Sequence, residues 1–450
     1  MRKTDVGDLK IDRLAQAAID APVAVPGEIL DSLVAVLDVV RHDAAHTRPE
    51  IIRRTGLGRG VVVQRVGELV DRGLLVEGGL GPSSGGRAPR TIRLNAHAGH
   101  ILVADLGATS IGVGIADLSG HLVEQHEEPA DITDGPEAIL GRVEELFAGL
   151  RSRTDDALGD LWGIGIGVPG PVEFATGRPV SPPIMPGWDD YPVRERFSTR
   201  YSVPVWVDND VNLMALGEYR AGVARGHEAA IFIKVGTGIG AGILIDGKLH
   251  RGSQGSAGDV GHIQVTDDPL IICRCGNVGC LEAIAGGAAL ARDGTLTAFD
   301  GRSRLLSRLL AERGGIEATE VGWAAAHGDA VSRELIAAAG RRIGQMVATL
   351  VNALNPSLVV VGGGVSAVGD SLIASVRETV YGRSLPLATR DLRILRSSLD
   401  AQGGRIGAAS MVVDELFSRA RIATWLPAGS PAGLAELVTT ESRWPSGSVS

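Results

Sequence analysis

The sequence predicts a two-part chain, in which a small helical module closed by a strand pair precedes a much larger α/β body. Three observations predict it. Apolar residues recur at helical spacing in short stretches between 29 and 73. From position 100 the texture changes to short aliphatic runs separated by helical segments. A strand, glycine turn and strand then occur twice, near Asp105 and near Gly236, as two related halves would give. With 450 residues and 44% hydrophobic content the chain can bury a substantial core in two or three domains, which excludes wholesale disorder. Its 62 glycines are roughly double an average usage of ~7% and imply many tight turns.

The first module can be justified element by element. Residues 1–28 are mixed in composition and are expected to form a loose arm. Leu30, Leu33, Val34, Leu37 and Val40 give one amphipathic helix to about Arg41. Thr47-Arg48-Pro49-Glu50 reads as a capping box that opens a short second helix, ending at the turn Gly56-Leu57-Gly58. A third helix runs from Arg59 to near Gly73 and is expected to turn Val62, Val63, Val66, Leu69 and Val70 inward. Leu74-Leu75-Val76, a Gly/Ser/Pro-rich excursion and 90–94 then read as two strands and a flexible loop. This order is that of a winged helix-turn-helix over 29–95. Ten arginines against seven acids leave that segment at +3, while the rest of the −9 chain stands at −12. Arg59 and Arg65 on the third helix are expected to approach base edges or phosphates, and Arg87, Arg90 and Arg93 to bring the wing against DNA. The alternative is a small packing module with solvated arginines.

The α/β body is expected over 98–420. Strands are predicted at 101–105, 111–116, 163–168, 205–207, 230–235 and 358–361, and helices at 137–151, 331–352 and 369–381. Beyond about Trp425 the chain turns Pro/Gly/Ser/Thr-rich, and 421–450 is expected to be a disordered tail. No run of about 18 apolar residues occurs, so no transmembrane helix is expected. Residues 1–8 lack the apolar core of a secretory leader, and a cytoplasmic location is expected.

Three constellations carry chemistry. The three cysteines all fall within Cys273-Arg274-Cys275-Gly276-Asn277-Val278-Gly279-Cys280, too few and too close for a disulfide framework. Three thiolates and one imidazole satisfy tetrahedral Zn²⁺, and His262 is the nearest upstream candidate, so a closed structural site is expected over 262–280, steadying the loop that carries Glu282. Second, Asp105-Leu106-Gly107-Ala108-Thr109-Ser110 follows a strand. Its small residues permit close phosphate approach, Thr109 offers a hydroxyl, and Asp105 can organise Mg²⁺ or its waters. Gly236-Thr237-Gly238 and Gly362-Gly363-Gly364 repeat the theme, although glycine turns also serve as packing devices. Third, Asp208-Asn209-Asp210-Val211-Asn212 opens a helix. Its carboxylates and amides suit sugar hydroxyls, and one Asp suits a general base; the same residues also make an ordinary helix N-cap.

Together these segments resemble the ROK family (repressors, open reading frames and kinases). Cys273 to Glu282 looks like its cysteine signature, and the segments around Asp105–Thr109, 209–212, 236–242, 258–262 and 355–364 match its other motifs, from roughly 29 to 416. The resemblance implies an actin-like/hexokinase-like two-lobed fold with a sugar in the cleft. Carried over by motif, Asn209, Asp210, His262 and Glu282 would bind sugar hydroxyls, and Asp210 would be the base in a kinase. His262 would both ligate zinc and face the sugar. The family's Glu-x-Gly-His motif has Asp259 in place of Glu here, one methylene shorter at a sugar-binding position, and Pro183 stands where kinases often show a polar residue. Asp105, Gly107, Thr109, Thr237, Gly238, Gly362, Gly363 and Gly364 would face a nucleotide.

The expected function is a sugar-responsive DNA-binding regulator, most simply a repressor acting as a homodimer or homotetramer on operator DNA, with a monosaccharide or its derivative as effector. The rival reading is a sugar kinase using Mg-ATP. No membrane partner is expected.

Overall fold

Helix α1 (Gly27–Arg41) buries Leu30, Leu33, Val36, Leu37 and Val40 along one stripe. The computed structural model describes residues 26–41, 46–81, 88–154, 158–365 and 370–438. Most of the expected arm, Arg87 of the wing, and 439–450 lie outside the described residues. After β1 (His46–Thr47), α2 (Arg48–Thr55) starts with Glu50 accepting from the Thr47 amide at 2.7 Å and ends at Gly56, whose φ of 68° needs no Cβ. Helix α3 (Arg59–Asp71) follows, then β2 (Leu75–Leu80) and β3 (Arg90–Leu94), in an antiparallel sheet of order β1-β3-β2. Val62, Val66 and Leu69 point inward as expected, but Val63 is 47% exposed and lies on the outer face of α3.

A three-residue 3₁₀ turn, Ala96–Ala98, leads straight into the first lobe. Its strands are β4 (Gly99–Leu106), β5 (Ser110–Asp117) and β6 (Leu122–Pro129), then, past α4 (Pro136–Arg153), β7 (Asp160–Val168). The short pair β8 (Val172–Glu173) and β9 (Arg178–Pro179), α5 (Val193–Tyr201), β10 (Val205–Asn209) and α6 (Asp210–Ala221) complete it. The second lobe opens with β11 (Ala230–Val235), β12 (Ile239–Ile245) and β13 (Lys248–Leu249). Five helices follow: α7 (Leu281–Ala285), α8 (Gly287–Phe299), α9 (Arg304–Arg313), α10 (Ala318–Ala326) and α11 (Ala330–Leu354). Then come β14 (Leu358–Gly362), α12 (Asp370–Arg383), α13 (Pro386–Thr389), β15 (Arg393–Arg396), α14 (Gln402–Leu416) and α15 (Arg419–Trp425).

The two sheets repeat one topology. The first has the order β6-β5-β4-β7-β10 and the second β13-β12-β11-β14-β15; in each, the first three strands form an antiparallel meander and the last two run parallel to the innermost meander strand. The twice-repeated strand–glycine-turn–strand pattern is the sequence trace of this duplication.

The helix after the fifth strand of each half packs on the other half's sheet: α6 on β11 and β12, α14 on β4 and β7, and the two helices on each other. Small residues make that crossing possible. A Cβ on Gly217 would lie 2.1 Å from the Gly403 carbonyl, and one on Gly407 would lie 1.8 Å from that of Leu213. Buried Glu218 of α6 secures the strap into α14, accepting from Ser397 Oγ at 2.6 Å and the Ser398 amide at 2.9 Å.

The expected disordered tail is corrected. Residues 419–438 pack onto the first lobe and the N-terminal module, with Trp425 and Leu426 fully buried and Leu437 and Val438 nearly so. Trp425 meets Trp162 at a ring separation of 5.2 Å, and its indole N–H donates to the Leu416 carbonyl at 2.7 Å. Four large apolar side chains outweigh a composition that reads as tail.

Candidate functional site

A cleft of about 740 Å³ opens between the two sheets, and both glycine-turn repeats face it. On the first-lobe side, β4 delivers Asp105 and its following turn delivers Gly107 and Thr109. The α14 backbone abuts that carboxylate so closely that a Cβ on Gly404 would sit 2.0 Å from an Asp105 oxygen. Burial, and next the nearby Asp210 charge, push Asp105 up to about 7.

The start of α6 supplies the second wall. Asn209 is its N-cap, its side-chain oxygen accepting from the Val211 and Asn212 amides at 2.9 and 3.2 Å while its amide donates to the Gly170 carbonyl at 2.8 Å. The two aspartates beside it part company. Asp208 is 1% exposed and sealed by Arg251 at 2.7 Å and Asn212 at 2.9 Å, whereas Asp210 lines the cleft. Asp210 is ion-paired there with Lys234 of β11. Burial works against the Lys234 charge, but the carboxylates of Asp210 and Asp105 outweigh it and hold its pKa above the usual value.

The second lobe contributes Thr237 and Gly238 from the β11–β12 turn, Asp259 and His262 from a 3₁₀ turn, Glu282 from α7, and Gly363 and Gly364 after β14. A Cβ on Gly238 would stand 2.3 Å from a Glu282 oxygen, so a side chain there would push that carboxylate aside. Gly362 does not reach the cleft: it closes β14, where a Cβ would strike the Phe232 ring at 2.5 Å, so its role is packing.

His262, Cys273, Cys275 and Cys280 converge, with one ligand atom from each within 4.8 Å of all the others. Cys275 Sγ lies 3.7 Å from Cys280 Sγ, and Cys273 Sγ lies 3.5 Å from His262 Nδ1. With metal–sulfur bonds of ~2.3 Å, a tetrahedral ion spaces its sulfurs ~3.8 Å apart, so the donor set fits. Cys280 is also the N-cap of α7, which ties the cluster to the helix turn that aims Glu282, whose carboxylate accepts from the Ile239 amide at 3.2 Å. The other edge of the imidazole, Nε2, looks toward Asp259 at 3.8 Å.

On the N-terminal module, Arg59, Arg90 and Arg93 are exposed, and Arg87 lies outside the described residues. Arg65 is corrected. It is 7% exposed, donating to Ser32 Oγ at 2.8 Å and to both Glu68 oxygens at 2.6 and 2.7 Å, so its guanidinium ties α3 to α1 and does not face outward. Sequence reasoning missed Lys234, Arg405 and Glu127 in the cleft. Lys234 did leave a signal, as the one charge in the otherwise apolar strand Ala230–Val235.

A duplicated sheet pair with its polar cleft between the halves defines the two-lobed, actin-like/hexokinase-like class. Within it, the chain belongs to the ROK family, whose profile matches residues 101–415. It is 31% identical over 398 residues to a xylose repressor of Caldicellulosiruptor bescii, covering 85% of this chain and 95% of the relative. It is 32% identical over 308 residues to a glucokinase of Halalkalibacterium halodurans, covering 68% of this chain and 93% of that one. A crystal structure of a ROK family transcriptional regulator, a homologue of the E. coli MLC protein, superposes with a TM-score of 0.73 at 24% identity over 91% of this chain and 99% of its own, a likeness of fold.

Proposed function

We propose that this chain is a DNA-binding transcriptional repressor whose operator affinity is set by a monosaccharide held in the cleft. The carrying observation is the extent of similarity: the xylose repressor aligns over 85% of the chain and the glucokinase over 68%. In this reading residues 29–95 are a winged helix-turn-helix. Helix α3 enters the major groove with Arg59 and the exposed Val61 and Val63, which suit phosphate or guanine contact and thymine methyls. Arg90 and Arg93, with Arg87, bring the wing to the backbone. As a homodimer or homotetramer the protein presents two such helices to half-sites ~34 Å apart.

The sugar lies among Asn209, Asp210, Asp259, His262 and Glu282. A zinc ion on His262, Cys273, Cys275 and Cys280 supplies no chemistry to it; it crosslinks the loop so that His262 and Glu282 keep their aim. Helix α14 carries the signal. Its leading end lies at the cleft, where Arg405 and the preceding Asp400 line the wall, while Asp414 near its far end pairs with Arg41 of α1 at 2.9 Å. A 100-fold loss of operator affinity needs a coupling of about 2.7 kcal/mol, within the ordinary allosteric range.

Fluorescence anisotropy with the DNA upstream of the coding sequence tests the proposal. Salt-resistant preference over random DNA is expected, reversed by at least one neutral monosaccharide, with Arg59→Ala weakening binding at unchanged thermal stability. Equal affinity for random DNA under all conditions would sink it. Elemental analysis of the same preparation is expected to find one zinc per chain, and a folded, sugar-binding protein without metal would remove the zinc assignment.

A further inference from the structure

We propose that Lys234 is the cleft's built-in cation, seated on the Asp105–Asp210 carboxylate pair in place of a metal-bound phosphate, so that the site takes an uncharged monosaccharide and does not transfer phosphoryl groups. This deepens the repressor reading by naming the effector class, and it rests on that reading only for the sugar's location.

The geometry is specific. Asp105 and Asp210 flank one point of β7: a Cβ on Gly167 would stand 3.1 Å from an Asp105 oxygen and 3.6 Å from the Asp210 Cα. Lys234 enters from the facing sheet and closes on Asp210, which is 4% exposed in its side chain against 23% for the lysine. A base that accepts a proton from a sugar hydroxyl must be ionised and unengaged, whereas Asp210 is committed to an ammonium. A divalent ion brought here by a nucleotide would have to displace that ammonium from its buried partner and then lie beside it, like charge against like. The residues present therefore do not fit Mg-ATP as a phosphoryl donor, although the glycine turns that would face it are retained.

The rest of the lining excludes anionic effectors. Among the described residues, seven carboxylates line the cleft against two permanent cations, Lys234 and Arg405. Both cations are already paired, Lys234 with Asp210 and Arg405 with Glu127 at 2.9 Å. Among the described lining residues no positive charge is left over for a sugar phosphate or a sugar acid, and each would meet a field of its own sign.

Full-length protein is titrated with AMPPNP and Mg²⁺ by calorimetry, and its melting is followed with neutral sugars, their 6-phosphates and the matching uronic acids. Wild type is expected to show no Mg²⁺-dependent nucleotide binding and to be stabilised by a neutral sugar at least tenfold more effectively than by its phosphate or acid. Lys234→Thr is expected to gain Mg²⁺-dependent AMPPNP binding by tenfold or more, and Lys234→Arg to gain none. Wild-type binding of Mg-AMPPNP, phosphorylation of any sugar, preference for a sugar phosphate, or a folded Lys234→Thr protein without nucleotide gain would each overturn the proposal. The wild-type measurements decide it even should the variant fail to fold. Failure to bind operator DNA while these results hold would instead remove the repressor reading alone.

Discussion

Asp105 shows how far a residue's chemistry departs from its motif. Read as sequence, it is a carboxylate after a strand, suited to a hydrated metal. In the folded protein it is pressed against the α14 backbone, and its pKa is raised to about 7 from an ordinary value of 3.8. The folded state thus keeps a proton that the unfolded chain releases. The contribution to stability is full below pH ~4, falls as pH rises towards 7, and is gone above it. Asp105→Asn is therefore expected to raise the free energy of unfolding at pH 8, by a few kcal/mol at most, and to flatten the decline between pH 4 and 7. A variant less stable than wild type at pH 8 would contradict this. The site's residue types were legible because close-packed glycines and clustered cysteines leave few alternatives. Their pairing was not. Nothing local tells Asp210, which lines the cleft, from Asp208, which Arg251 seals; and Arg65 looks like any other helix arginine until Ser32, 33 positions upstream, is brought beside it.

Among the elements, those with strong apolar periodicity were readable and those decided by tertiary neighbours were not. Helix α11, expected over 331–352, spans Ala330–Leu354. Strand β6 went unread because, at the sheet edge, Leu122–Pro129 carries mostly polar side chains, as edge strands do. Helix α15 went unread because it is only seven residues long and its partners, α1 of the N-terminal module and Trp162 of the first lobe, are remote in sequence. The α6–α14 crossing is the element pair most exposed to a single atom. Gly407→Ala puts a methyl 1.8 Å from the Leu213 carbonyl, so the helices must separate. A loss of roughly 1–3 kcal/mol in denaturant unfolding is expected. An unchanged midpoint would show that the crossing yields without cost.

For the whole molecule, duplication was visible as a repeated motif, but the way the N-terminal module joins the first lobe was not. One apolar core runs from Leu33 and Leu37 of α1 through Trp162 and Met411 to Trp425 and Leu437. Arg41 adds a guanidinium over the Phe417 ring at 4.7 Å, and Arg72 donates to the Leu426 carbonyl at 2.8 Å. Trp425→Ala removes a fully buried indole from that junction and is expected to cost roughly 3–5 kcal/mol. Calorimetry should show the N-terminal module and first lobe weakened together, and a module that melts unchanged and separately would contradict the shared core. Among the described residues, no helix is long and apolar enough to cross a membrane.

That seamless interior restricts how any message can leave the cleft. With only the turn Ala96–Ala98 between the N-terminal module and the lobe behind it, and one apolar core running through both, the module has no swivel of its own. Under the proposed reading, whatever the effector changes must pass through the lobe itself, and in the proposed homodimer it would be converted into the distance between two N-terminal modules set against the fixed pitch of the double helix.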